Sequence, residues 1–419
     1  MNSELIILSA STLLLVVFCF WSYRQANMFR TTFAVLGVYS LSSVASIVYY
    51  CQPYSAFLLN GRISWLPFIY WIVLFMICLI PLIQFDKLHV GNVKSLTTLD
   101  WIAKFGFWIS IIPLIEQLFI GYRLLFGTGG LEEAIMAAYE DATLDQLSII
   151  SRNLLRINIG LYDLSFLILL TYFIRPVKNK SLLIYSLTII MTRNVTGLMM
   201  ASRGAMVNMG LRMILVYVIS FPFLTVETKK LINKCMLICA VVFGAIFVSI
   251  SIGRQVSYSE NVNEGFTMTY FISRYMGEGL INFNQYLPLM KETTGGEICF
   301  WSIMDYLGGE PHELTKDYFY GELSSKQNIP QNVFYTFIGN FVQDLNFIGA
   351  FIWLSFISIV FKIVTKVKGP TITLSTLFAF LFYATMMLNG VISFQYAGSH
   401  GKFVIWNIFI YIYMKMKKM

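Results

Sequence analysis

Arg203, Arg254 and Arg274 are the residues of this chain best suited to grip a phosphate. A guanidinium is always charged, and its planar fork holds two oxyanion oxygens at once. Arg203 stands in Ser202-Arg203-Gly204, between two apolar runs. Arg254 follows Ser251-Ile252-Gly253, where another apolar run ends. Arg274 lies in Ser273-Arg274-Tyr275, just before Gly277-Glu278-Gly279. Converging on one point, the three would hold a pyrophosphate. Each also has a plainer use. Arg203 can anchor a helix end among lipid headgroups. Arg254 and Arg274 can pair with Glu260, Glu264 or Glu278 on a solvated surface, where ion pairs add little.

Proton transfer needs a carboxylate or imidazole within reach of a hydroxyl. Glu278, Asp305, Glu310 and His312 are the candidates. The last three cluster in Met304-Asp305-Tyr306-Leu307-Gly308-Gly309-Glu310-Pro311-His312. His400, in Gly398-Ser399-His400-Gly401-Lys402, is either interfacial or a ligand for a sugar or phosphate. Tyr275, Trp301, Tyr306, Tyr318 and Tyr320 offer flat apolar faces to sugar rings, or simply pack.

Other chemistries find no footing. The chain has no Gly-rich phosphate loop followed by Lys, no His-Glu-x-x-His and no Gly-x-Ser-x-Gly. No two of its six Cys form Cys-x-x-Cys, which argues against a zinc or redox motif. The net charge of +8 is spread over the ends of apolar runs. It reads as a topology signal and not as a nucleic-acid stripe, so no nucleic-acid partner is expected.

The elements that must position these residues are membrane helices. The 419 residues are 57% hydrophobic and 12% charged, against about 25% charged in a soluble domain. A spanning helix takes about 20 apolar residues. Eleven runs qualify: 4–22, 31–50, 65–85, 101–121, 154–174, 181–200, 205–225, 235–252, 340–361, 371–390 and 402–414. Arg193 and Arg212 fall inside two of them. The first run has no basic leader and reads as a retained helix. An all-α polytopic membrane protein with about 11 transmembrane helices follows, divided as 1–252 (eight helices), 253–335 (a large loop) and 336–419 (three helices).

Alternate connections are rich in Lys and Arg, among them Arg175, Lys178 and Lys180, then Lys229, Lys230 and Lys234. Positive residues stay cytoplasmic. The C-terminus is therefore expected inside, and the N-terminus and the 253–335 loop outside. Acidic residues in 122–153 suggest an amphipathic helix across that outer face. The loop's Gly-Gly pairs, prolines and aromatics suggest short packed helices over the bundle, forming a cavity open to lipid.

Three features resemble the Wzy-type polymerases, which join oligosaccharide repeat units of bacterial O-antigen and capsule. They are Met200-Ala201-Ser202-Arg203-Gly204 at mid-chain, the single large late loop bounded by arginine, and the re-entry segment. That last segment reads Thr336-Phe337-Ile338-Gly339-Asn340 and then Asp344-Leu345-Asn346-Phe347-Ile348-Gly349. The family often carries an Asp-x-Gly-x-x-Gly-like pattern there, and Asn346 replaces its first glycine.

The resemblance implies a fold like that of the C-type glycosyltransferases, in the bacterial inner membrane, with the N-terminus periplasmic. It implies a substrate, undecaprenyl-pyrophosphate-linked oligosaccharide, and leaves room for a chain-length regulator as partner. Because the related ligases act without a metal, neither metal nor cofactor is expected. Glu278, Asp305 and His312 would then serve proton transfer, and Arg203, Arg254, Arg274 and His400 would bind substrate. Two rivals stay open: a flippase for the same lipid-linked sugar, and an O-antigen ligase.

Overall fold

The computed structural model describes residues 3–26, 30–52, 62–87, 92–93, 98–126, 146–175, 178–199, 203–259, 268–309, 318–331, 333–367 and 371–417. The long helices are α1 (Ser3–Ala26), α2 (Thr31–Tyr50), α3 (Trp65–Asp86), α4 (Thr98–Phe126), α5 (Ile149–Ile174) and α6 (Lys180–Met199). They continue as α7 (Arg203–Ser220), α8 (Val226–Ser259), α9 (Met268–Tyr286), α10 (Thr336–Val364), α11 (Leu374–Asn389) and α12 (Lys402–Met416). Each of the eleven apolar runs is mostly helical where it is described; 224–225, 373 and 390 lie outside helices, and 371–372 is a strand, β2 (Thr371–Ile372), paired in parallel with β1 (Asn92–Val93). Seven helices are long and apolar enough to cross a membrane, and α11 is a shorter apolar helix. Large side chains such as Leu66, Trp101, Ile149 and Ile348 are more than 70% exposed, as a lipid-facing surface requires. The chain is an all-α membrane protein. The acidic segment expected to form an amphipathic helix falls mostly at 127–145, outside the described residues.

Two compact units cut across the linear order. One comprises 1–89, 265–370 and 379–412; the other comprises 90–264, 371–378 and 413–419. The stretch anticipated as a single loop from 253 is thus divided. Residues 253–259 complete α8 in the second unit, whereas α9 and 287–335 belong to the first.

In the first unit, hydrogen bonds tie the helices where no hydrophobic effect could between lipid-solvated apolar faces. Asp86, ending α3, accepts from the Thr31 and Thr32 amides (3.2 and 2.7 Å) that open α2. Its negative charge also suits that helix N-terminus. Tyr39 donates to the Met387 carbonyl, and Tyr383 to the Cys78 carbonyl. Phe85 stacks on Phe380 at 3.5 Å. The helix expected to lie over the bundle, α9, is instead a core element. It packs against α2, α3 and α10, and every residue from Gly277 to Leu287 is buried. That half buries Glu278, Asn282 and Asn284 as well as apolar residues, and hydrogen bonds to Arg274, Phe334 and Ser64 satisfy those polar groups.

In the second unit, α4, α5, α6 and α7 pack together. Asn158 reaches Ser110 (2.6 Å), Thr192 reaches the Ser110 carbonyl (3.1 Å) and Gln117 reaches Thr196 (2.5 Å). Arg175, just after α5, forms two bonds to Asp100 near the start of α4 (3.1 and 2.5 Å).

Candidate functional site

The Gly-Glu-Gly of α9 has a packing logic. A Cβ on Gly277 would lie within 2.7 Å of Ser46 Cα and closer still to the neighbouring backbone. Only glycine allows α9 and α2 to approach so nearly. At this contact Ser46 Oγ donates to the Gly277 carbonyl (2.6 Å) and Ser42 Oγ to the Met276 carbonyl (2.7 Å). On the other side, a Cβ on Gly279 would stand 3.2 Å from the Val391 carbonyl and 3.3 Å from Thr336 Cγ2. Between the two glycines, Glu278 is buried at 4% exposure.

A buried carboxylate must be compensated. Glu278 Oε2 accepts from Arg274 Nε at 2.8 Å, one helical turn earlier, and Oε1 accepts from the Phe334 amide at 3.3 Å. The Arg274 side chain keeps 30% exposure. Burial works against its charge, but Glu278 outweighs that effect, with Tyr270 and Tyr49 adding to it. The guanidinium is therefore held more firmly protonated than usual. Arg274 is thus a fixed, partly accessible cation, and Glu278 is the group that orients it. Tied on both oxygens, Glu278 is poorly placed to take a proton from a substrate.

A second cluster involves α10 and the segments that dock on it. Asp344, 1% exposed, accepts from Thr294 Oγ1, the Ile298 amide (3.0 Å) and the Cys299 amide (2.5 Å). These bonds fasten 294–299 to α10. Burial pushes the Cys299 thiol well above its usual range, and the Asp344 carboxylate adds to the shift. The Gly398 amide then donates to the Ile298 carbonyl (2.6 Å), and Ser302 Oγ donates to the Gly398 carbonyl (2.9 Å). The short helix Trp301–Tyr306 is thereby docked on the 398–401 turn. Asp305 and His400, both exposed, sit on these two neighbouring elements. The His400 ring lies 5.7 Å from that of Phe403.

Arg203 opens α7 and Arg254 lies in the last turns of α8, both in the second unit, whereas Arg274 belongs to the first. The side chains of Arg203 and Arg254 lie outside the described ones, as do Glu310 and His312 entirely. Tyr318 donates to Glu297, Tyr275 packs edge-on to Phe334, and Tyr306 is 65% exposed. Tyr318 and Tyr275 are therefore engaged in packing, and Tyr306 is open to a ligand. Among the described residues no three His, Cys, Asp or Glu side chains are grouped to hold a metal.

Sequence reasoning quoted Asp344 only as part of a motif and missed its role. The available signal was a carboxylate inside an apolar run, which is costly unless it is bonded. It also missed an amide network in which Gln331 donates to Gln327 (2.7 Å) and Asn340 to Gln343 (3.1 Å). Searches of protein-family models, curated proteins and solved structures found no match to this chain.

Proposed function

We propose that this membrane protein is a glycosyltransferase that polymerises undecaprenyl-pyrophosphate-linked oligosaccharide repeat units. It would act at the outer face of the bacterial inner membrane, in O-antigen or capsule synthesis. Beside the Wzy-type resemblance, one observation carries the reading. A partly exposed guanidinium, Arg274, is locked by buried Glu278, in the same unit as exposed Asp305 and His400.

The growing chain would be the donor. An acceptor hydroxyl attacks its anomeric carbon, a C–O bond forms, and the bond to pyrophosphate breaks with its electron pair leaving on oxygen. Arg274 would stabilise that charge where water is partly excluded. The hydroxyl proton would pass to Asp305 or His312. His400, beside the Asp305 helix, would contact sugar or phosphate. Glu278 supports the reaction by positioning Arg274, not as the base.

Deletion of the gene followed by gel separation of surface polysaccharide tests this reading. The expected result is a core carrying single repeat units. Polymer left on its carrier lipid, with none attached to the core, would identify a ligase instead. An unchanged ladder would overturn both.

A further inference from the structure

The second unit holds a charge that its described neighbours do not balance. Asp163 of α5 forms an ion pair with Arg212 of α7. Arg212 is 5% exposed, donates from Nε to Asn208 (2.7 Å) and lies 4.8 Å from the Tyr162 ring centroid and 5.3 Å from that of Phe166. Arg212 is thus paired with a carboxylate. Arg193 of α6 is the remainder. Its electrostatic neighbours are Tyr162 and Arg212, the latter of its own sign. Among the described residues Arg193 makes no ion pair or hydrogen bond.

Arg193 sits among helices apolar enough to span a membrane, although α6 itself is not one of these. Its helix packs along α4 and α5 and against α7, and all three of those contain candidate spans. It stands six residues, or about 9 Å, before the end of α6 at Met199. Arg193 thus adds a second guanidinium beside one that Asp163 already pairs. A net cation enclosed by apolar helices is expensive unless an anion joins it. A guanidinium that is half-buried, and not sealed, leaves access for one. The next residue, Asn194, is committed elsewhere: its amide donates to the Ile190 carbonyl (2.7 Å) and to Tyr162 (3.2 Å). Tyr162, its neutral neighbour, does not cancel the charge.

We propose that Arg193, beside the Arg212–Asp163 pair, forms an oxyanion site that takes the phosphate of a membrane lipid between α5, α6 and α7. The Arg212–Asp163 pair keeps that surrounding rigid, and Arg193 supplies the fork. This site does not depend on the polymerase reading and uses none of the residues assigned to it.

The test uses the full-length protein in neutral detergent. Thermal unfolding is followed while phosphatidylglycerol, phosphatidylcholine or a polyprenyl monophosphate is added. Native mass spectrometry counts the lipid retained. The expected result is saturable stabilisation by one or both anionic lipids and less by phosphatidylcholine. Phosphatidylglycerol alone would identify a bulk phospholipid, and the polyprenyl phosphate alone a carrier lipid. R193Q should weaken the apparent affinity by about tenfold or more, the loss of a charge-assisted bond. R193K should restore part of it. Equal response of the wild type to all three lipids, or an R193Q protein that binds anionic lipid as the wild type does, overturns the proposal. Because the wild-type comparison decides by itself, a variant that does not fold leaves the test intact.

Discussion

Glu278 and Arg274 show what one residue of each sign does inside a packed helix. Removing the carboxylate strands a cation that its neighbours were built to hold. Glu278→Ala should therefore cost about 1.5–3 kcal/mol of stability, the loss of a charge-assisted bond to a partly exposed cation. Arg274→Ala should lower polymer synthesis about tenfold or more, the loss of one charge-assisted bond in the transition state. Arg274→Lys should recover part, since Lys keeps charge but not the fork. Complementation of the deletion strain, with membrane levels measured alongside, separates the two effects; wild-type polymer from Arg274→Ala at normal level would remove Arg274 from the chemistry. Asn346 is a second instructive residue. It has φ 59° and ψ −179° inside α10, a conformation almost confined to glycine. Its Oδ1 accepts from the Ile348 amide (2.9 Å) and the Gly349 amide (3.0 Å), capping the second half of the helix. The glycine of the resembling pattern thus meets a backbone need, and Asn meets it at some strain while adding a cap. Asn346→Ala should destabilise by about 1–2 kcal/mol, because the cap goes and the strain stays. Asn346→Gly should be close to neutral, since relief and loss oppose each other. Unfolding in detergent would rank the two, and the reverse order would refute this account.

At the scale of elements, α9 and α10 decide where the loop residues go. α9 can sit in the core only while Gly277 lets it touch α2. Gly277→Ala should cost about 1–3 kcal/mol or more through forced separation of backbones, and Gly279→Ala should cost less, because its neighbours stand at 3.2 Å and beyond. α10 holds 294–299 through Asp344, and the reactivity of Cys299 reports on that clamp. Alkylation requires thiolate, and burial with the nearby carboxylate raises the Cys299 pKa. As pH rises through the range where an ordinary thiol ionises, roughly 8.5, Cys299 should stay protonated and unlabelled, whereas Cys51 is exposed to the reagent. Asp344→Ala should open the clamp and bring Cys299 into reaction. Peptide mapping after maleimide treatment at pH 7 and pH 9 would show it; prompt labelling of the wild-type Cys299 at pH 9 would count against the clamp.

At the scale of the whole molecule the charge asymmetry of the connections predicts sidedness. A reporter fused after Lys230 should read cytoplasmic, and one inserted at Gly295 should read external. A cytoplasmic reading at Gly295 would end the polymerase proposal, because lipid-linked repeat units are joined on the other side. The same experiment bears on Asp305 and His400, which share the side of the segment that carries them.

Composition and hydropathy alone were enough to establish a helical membrane protein, because 20-residue apolar runs have few other uses in water or lipid. They also located most of the long helices to within about five residues, as with 65–85 against Trp65–Asp86, but the run 235–252 extends to Val226–Ser259 and Met268–Tyr286 was not read as a long helix. Charge within those runs marked Arg193 and Arg212 as needing an explanation. Partners across the chain were not legible. Nothing near Asp163 in sequence points to Arg212, and nothing near Ser302 points to the 398–401 turn. Nor does the polarity of 268–286 reveal a core helix, since its burial depends on Gly277 and Gly279 meeting α2 and Thr336. A pattern records which residue types can be buried, whereas only the packed chain settles which groups meet, and so which charges are already satisfied and which are left to act.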